Sequence, residues 1–246
     1  SLKLVNMSGI NPIRTMGQVR WYKHPHPTCT YVVSLDPATG TGGDAAGIQV
    51  IELPTMVQVA EWQHNLTPIE GQMKVMMDIM QYLQELRVEQ IYWSVENNSI
   101  GEAALVVIRD TGEESFPGDF LHEPKKVAGR RARKGFHTSH RTKVESCLSA
   151  KRLIEHDKIT LHSKPLISEL KNFVAKGNSF SAKPGEHDDL VMALMLNIRM
   201  INFISTFEDD VFTAVNSTLA NPRDYGDYDQ EWDDNDDDGP MPLGIL

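Results

Sequence analysis

The stretch that decides the fold is Thr30-Tyr31-Val32-Val33-Ser34-Leu35-Asp36-Pro37-Ala38-Thr39-Gly40-Thr41-Gly42-Gly43-Asp44-Ala45-Ala46-Gly47-Ile48. Tyr31 to Leu35 is apolar and rich in residues that favour pleated, half-buried backbone, so it reads as a strand. The run ends on an acid, Asp36, and breaks into a loop with four glycines between Gly40 and Gly47. Glycines in such a loop admit left-handed backbone and close approach of a ligand. A carboxylate at the carboxyl end of a buried strand is where open α/β sheets place their ligands.

Working outward, residues 45–53 and 56–64 are two further strands joined at Leu53-Pro54-Thr55, which makes a three-stranded antiparallel meander. Thr67-Pro68-Ile69-Glu70 has the form of a helix start, with Thr67 as N-cap and Pro68 in the first turn. Met73, Met76, Met77, Met80 and Leu83 recur at helical spacing over 68–86, a methionine-rich face best read as core. Residues 90–96 are a fourth strand, again ending on an acid, Glu96. A helix over 99–109, capped by Ser99, and a short strand at 120–122 follow. Later come a helix over 139–156, a short strand at 158–162, a helical turn over 165–171 and a hairpin around Lys176-Gly177-Asn178.

The last strong element opens Pro184-Gly185-Glu186-His187-Asp188-Asp189-Leu190-Val191-Met192-Ala193. From Leu190 it is apolar nearly all round, so this helix is expected to be buried on most sides. The expected fold class is α/β: a mixed central sheet, the antiparallel meander extended by parallel strands and flanked by helices. The expected organisation is an irregular lead-in or linker at 1–28, one domain at 29–205, a C-terminal helix within 206–220 and an acidic disordered tail at 221–246.

Charge reads the same way. The 246 residues carry a net charge of −10, yet nine acids and no base lie between Asp224 and Asp238, so the remainder stands at −1. Against that neutral background Lys125, Lys126, Arg130, Arg131, Arg133 and Lys134 place six bases in ten residues. Cys29 and Cys147 have no metal-type spacing, which points to a reducing compartment, and no apolar run approaches a membrane span. The chain starts on Ser rather than Met, so a domain cut from a longer protein is expected.

Asp36, Glu96 and the Asp188–Asp189 pair are the acids at element ends that can converge. Burying carboxylates together is costly unless cations compensate them. Hard oxygen donors of this kind suit Mg²⁺ or Mn²⁺. Two such ions about 4 Å apart are one known arrangement for phosphodiester cleavage. Taken singly each acid has a bland reading, and Asp188 and Asp189 serve equally well to balance the helix dipole. The joint placement favours a site. Asp44 is a fourth ligand, a turn residue or a group that supports a ligand, the last two being favoured; His187 and Lys143 are further candidates around the metal, for water orientation or leaving-group protonation and for phosphate contact. In that company the 125–134 run is read as a binder of nucleic-acid backbone.

On Ser34-Leu35-Asp36 with its glycine loop, on Glu96, and on Glu186-His187-Asp188-Asp189-Leu190-Val191-Met192-Ala193, the sequence resembles the nuclease domain of the large terminase subunit of tailed bacteriophages. That family has the ribonuclease H-like fold, and the resemblance spans roughly residues 30–205. It implies a two-metal endonuclease that cuts concatemeric double-stranded viral DNA during packaging, in the host cell cytoplasm. Carried over by position, Asp36, Glu96 and Asp189, with or instead of it Asp188, hold Mg²⁺ or Mn²⁺. The implied partners are double-stranded DNA, an N-terminal ATPase domain of the same polypeptide, the portal protein and the small terminase subunit. No Gly-x-x-x-x-Gly-Lys-Ser/Thr run occurs here, so this chain corresponds to the nuclease half. Two rivals are an actin-like or sugar-kinase-type ATPase fragment and a non-catalytic DNA-binding and motor-docking module.

Overall fold

Strand β3, Thr30–Asp36, is the middle of the structure, a computed structural model that describes residues 7–98, 100–123, 134–177 and 179–216. Its side chains alternate between two apolar layers, as the two-residue period of a strand requires. Tyr31, Val33 and Leu35 enter one core with α1 (Ile69–Glu85) and α2 (Gly101–Thr111). Val32 enters the other, built from α3 (His140–Glu155), α4 (Lys164–Asn172), α5 (Asp189–Ile204) and α6 (Asp209–Asn216). The result is a sheet covered by helices on both faces.

Around β3 run β4 (Ala46–Leu53) and β5 (Val57–His64), both antiparallel to their neighbours, then β6 (Gln90–Val95) parallel to β3 on its other side. A two-residue strand β7 (Asp119–Phe120) is parallel to β6. Together with β1 (Arg14–Met16) and β2 (Val19–Trp21) these form one seven-stranded sheet in the order β1-β2-β5-β4-β3-β6-β7. A separate hairpin pairs β8 (Phe173–Lys176) with β9 (Ser179–Ala182). The expected mixed sheet, a meander extended by parallel strands, is what forms. The methionine face of α1 is core: Met73, Met76 and Met80 are buried.

The structure departs from the sequence reading at several places. Residues 1–28, expected to be irregular, contain the β1–β2 hairpin, turned at Gly17 with φ +58°. Strands of three residues are too short to show an alternating pattern. Buried charge holds them to the sheet: Glu61 on β5, fully buried, accepts from Arg20 Nε at 2.9 Å and Tyr22 Oη at 2.7 Å. The 158–162 strand reduces to a single bridge, Thr160 with Val57. Thr67 is not the cap of α1; Pro68 holds that position and the Thr67 hydroxyl meets His64 Nδ1 at 2.7 Å. At α2 it is Asn98 whose Oδ1 accepts from Ile100 N and Gly101 N, at 3.0 and 2.8 Å. Ser99 and the 221–246 tail lie outside the described residues. No helix among those described is long and apolar enough to cross a membrane.

Candidate metal centre

The parallel register aligns Leu35 with Val95, so the next residues, Asp36 and Glu96, emerge side by side from the carboxyl ends of β3 and β6. Glu96 N donates to Leu35 O at 2.9 Å, which carries the pairing one step past the strand end. On the other side Asp36 is in register with Gly47 of β4, and Gly47 with Gln63 of β5. Residues level across a sheet point to the same face. Gln63, Asp36 and Glu96 therefore share the face that α5 covers.

Helix α5 lies against β3 and β4 with its first residue, Asp189, directly over Gly47. A Cβ at position 47 would stand 2.8 Å from the Asp189 carbonyl oxygen, so only glycine admits the helix this close. One turn on, the Ser34 hydroxyl donates to Ala193 O at 2.7 Å. Two strand ends and one helix start thus bring Asp36, Glu96 and Asp189 to one corner of the sheet.

The electrostatics follow from that crowding. Burial, then the adjacent Glu96, then Asp189 and Asp188, hold the Asp36 carboxyl well above the usual carboxylate range. Asp36 and Glu96 lie close enough to share a hydrogen bond. Glu96 is steadied by Asn98, whose Nδ2 donates to Oε2 at 2.8 Å. Burial raises Asp189 as well, against the Ala45 amide, His187 and Gln63, which favour its ionised form. Gln63 Nε2 reaches Asp189 Oδ2 at 3.4 Å, and no three His, Cys, Asp or Glu side chains already form a metal-binding group among the described residues.

The other expected residues divide. Asp188 stands at the N-cap position of α5, where its Oδ2 accepts from Ala182 N at 3.3 Å and so ties down the β8–β9 hairpin. Asp44 is exposed on the glycine loop and acts on Asp189 through charge. His187 is exposed, with Nδ1 3.9 Å from Asp189 Oδ2. Lys143 is not among the carboxylates; its Nζ lies over the Phe173 ring, 5.8 Å from the centroid. Lys125, Lys126, Arg130, Arg131 and Arg133 lie outside the described residues. Lys134 is exposed and pairs with Glu113 at 2.8 Å. The two flanks of that basic run meet next to the site: Glu123 N donates to Gly135 O at 3.0 Å, and Phe136 bridges to Glu96.

Sequence reasoning missed Gln63, Asn98 and Glu169. Glu169, on α4, accepts from Leu190 N and Val191 N at the start of α5 and from Gln63. Burial pushes its carboxyl up to about 7. The only signal for Gln63 was its strand parity with Gly47 and Asp36, which requires the register; nothing in the sequence tied Glu169 to α5.

The model of the terminase RNaseH-like domain family matches residues 33–200, the span that holds every one of these acids. The chain belongs to that family. Solved terminase nucleases have the same fold. The large terminase nuclease of thermophilic phage G20c with bound magnesium is 16% identical, with a TM-score of 0.59 over 80% of this chain and 95% of that one. The nuclease domain of the Thermus phage P74-26 large terminase is 17% identical, TM-score 0.56, covering 79% and 92%. The human cytomegalovirus terminase nuclease domain is 14% identical, TM-score 0.53, covering 81% and 88%. Membership of the terminase family sets aside the actin-like ATPase reading.

Proposed function

We propose that this terminase nuclease domain is a divalent-metal-dependent endonuclease that cuts double-stranded DNA concatemers during viral genome packaging. The observation that carries the reading is the abutting pair Asp36–Glu96 at the sheet's carboxyl edge with Asp189 beside it. Two carboxylates pressed together in a partly buried corner repel, and either a proton or a cation must relieve them. The donors are all hard oxygens, which fits Mg²⁺ or Mn²⁺. The G20c nuclease, similar in fold, was crystallised with bound magnesium.

Asp36, Glu96 and Asp189 would hold the metal, with Asp188 one residue from Asp189 as a further oxygen donor. Two ions, when bound, supply an activated water and charge neutralisation at the leaving oxygen. Asn98 fixes one oxygen of Glu96 beside Asp36. His187, exposed beside Asp189, is placed to orient a water or pass a proton at the rim. Lys125, Lys126, Arg130, Arg131, Arg133 and Lys134 would grip the DNA backbone, since both flanks of that run are fastened beside Glu96. The partners are double-stranded DNA, an ATPase domain of the same polypeptide, the portal protein and the small subunit, acting in the host cytoplasm.

Plasmid cleavage tests the reading. Supercoiled DNA is expected to be nicked and linearised in Mn²⁺, not in EDTA, and not by Asp36→Asn, which should still retard DNA in a gel. DNA binding without cleavage in any divalent metal would instead make this a docking module.

A further inference from the structure

Helix α5 begins without a cap of its own. Asp188, at the N-cap position with φ −134° and ψ 19°, makes no side-chain hydrogen bond to the helix. First-turn amides need acceptors. Here they are met from a different helix: Glu169 Oε2 accepts from Leu190 N at 2.9 Å and from Val191 N at 3.1 Å. The other oxygen, Oε1, accepts from Gln63 Nε2 at 2.8 Å, and the same nitrogen reaches Asp189 Oδ2 at 3.4 Å. A helix cap requires only one carboxylate oxygen. The second one, through Gln63, acts on the side chain of Asp189 and adds nothing to α5.

We propose that Glu169 and Gln63 are positioning residues for the metal centre, Glu169 fixing the backbone on which Asp189 stands and orienting its carboxylate through the Gln63 amide. This rests on the reading of Asp36, Glu96 and Asp189 as metal ligands. The geometry gives Asp189 three constraints from three elements: Gly47 of β4 beneath, Glu169 of α4 at the adjacent amides, Gln63 of β5 at the carboxylate. With Glu169→Gln the side-chain amide can still accept from Leu190 and Val191 through its oxygen. Its NH₂ then faces the Gln63 NH₂, so Gln63 must turn over and present an oxygen to Asp189. The helix cap survives while the Gln63 donation to Asp189 is lost and the Ala45 amide is left to hold that carboxylate.

The test is Mn²⁺ titration of the whole chain by calorimetry, with thermal melts in EDTA alongside. Glu169→Gln and Gln63→Met are each expected to weaken Mn²⁺ binding about 10- to 100-fold with little change in melting temperature, the range typical of groups that orient metal ligands. The double variant should be no weaker than the worse single one, since both act through one relay. Wild-type Mn²⁺ affinity in both single variants would overturn the proposal, as would losses that merely track a lower melting temperature. If Glu169→Gln fails to fold, Gln63→Met decides alone, and affinity within twofold of wild type overturns it. Asp36→Asn separates the two levels: unchanged Mn²⁺ affinity there would remove the ligand reading itself, and this proposal with it.

Discussion

Gly47→Ala should damage catalysis by shifting Asp189, the proposed metal ligand. The added Cβ would lie 2.8 Å from the Asp189 carbonyl oxygen, 3.2 Å from its carbon and 3.4 Å from the Ala193 Cβ. Ordinary contact begins at about 3.4 Å, so the first turn of α5 must rise by roughly 0.6 Å. That turn cannot rise alone, because Ser34 holds Ala193 O at 2.7 Å and Glu169 holds the Leu190 and Val191 amides. Overpacking of this kind costs about 1–3 kcal/mol. For a domain of this size that lowers the melting temperature by roughly 2–4 °C per kcal/mol. A displacement near 1 Å at a reacting group can cost about 100-fold in rate, so a loss on the order of 10-fold or more in plasmid nicking is expected. Gly43→Ala is the control, in the loop that leads into β4, with nothing within 4 Å of its added Cβ, and should behave as wild type. Wild-type nicking and melting in Gly47→Ala would refute the placement of α5 on β4.

Three further outcomes follow from the same structure. In EDTA, Asp36→Asn should melt at or above the wild-type temperature, because it removes one of two abutting carboxylates; a clear fall would mean Asp36 is structural. Neutralising Arg130, Arg131 and Arg133 should weaken DNA binding and flatten its log–log salt dependence by up to about 2.7, at about 0.9 per phosphate contact, and an unchanged slope would take the run off the DNA path. Cys147 is buried and its thiol is pushed up to about 11, so less than about one in a thousand is thiolate at pH 7.5. Iodoacetamide should label it only in denaturant; rapid labelling of the native protein would contradict the packing of α3 on α5.

Much of this was written plainly in the chain. Tyr31–Leu35, residues 90–95 and the run from Leu190 each carry a long apolar pattern, and such patterns follow directly from burial on one or both faces. Asp36 and Glu96 were legible because both end strands, where a parallel pair must bring them level. Asp189 was harder to separate from Asp188, since both begin the same helix; in the structure the Asp189 backbone lies over Gly47, the Asp188 carboxylate accepts from Ala182 N, and the charges of both reach Asp36. The β1–β2 hairpin escaped because three residues hold no period, and its anchor is an ion pair between distant positions, the half-buried Arg20 and the buried Glu61. Gln63 and Glu169 escaped for the same physical reason: each works through partners more than 100 residues away or on another element, so no local spacing betrays it. Lys143 was placed by helix position alone, and the ring of Phe173 on the β8–β9 hairpin lies beneath it.

The central claim is that Asp36, Glu96 and Asp189 converge on metal. The most direct measurement is the anomalous scattering of crystals of the chain soaked in Mn²⁺. Peaks between Asp36 and Glu96, with Asp189 drawn in as a ligand, are the expected result. Strong Mn²⁺ peaks elsewhere with this corner empty, or a single site that excludes Asp36, would contradict it.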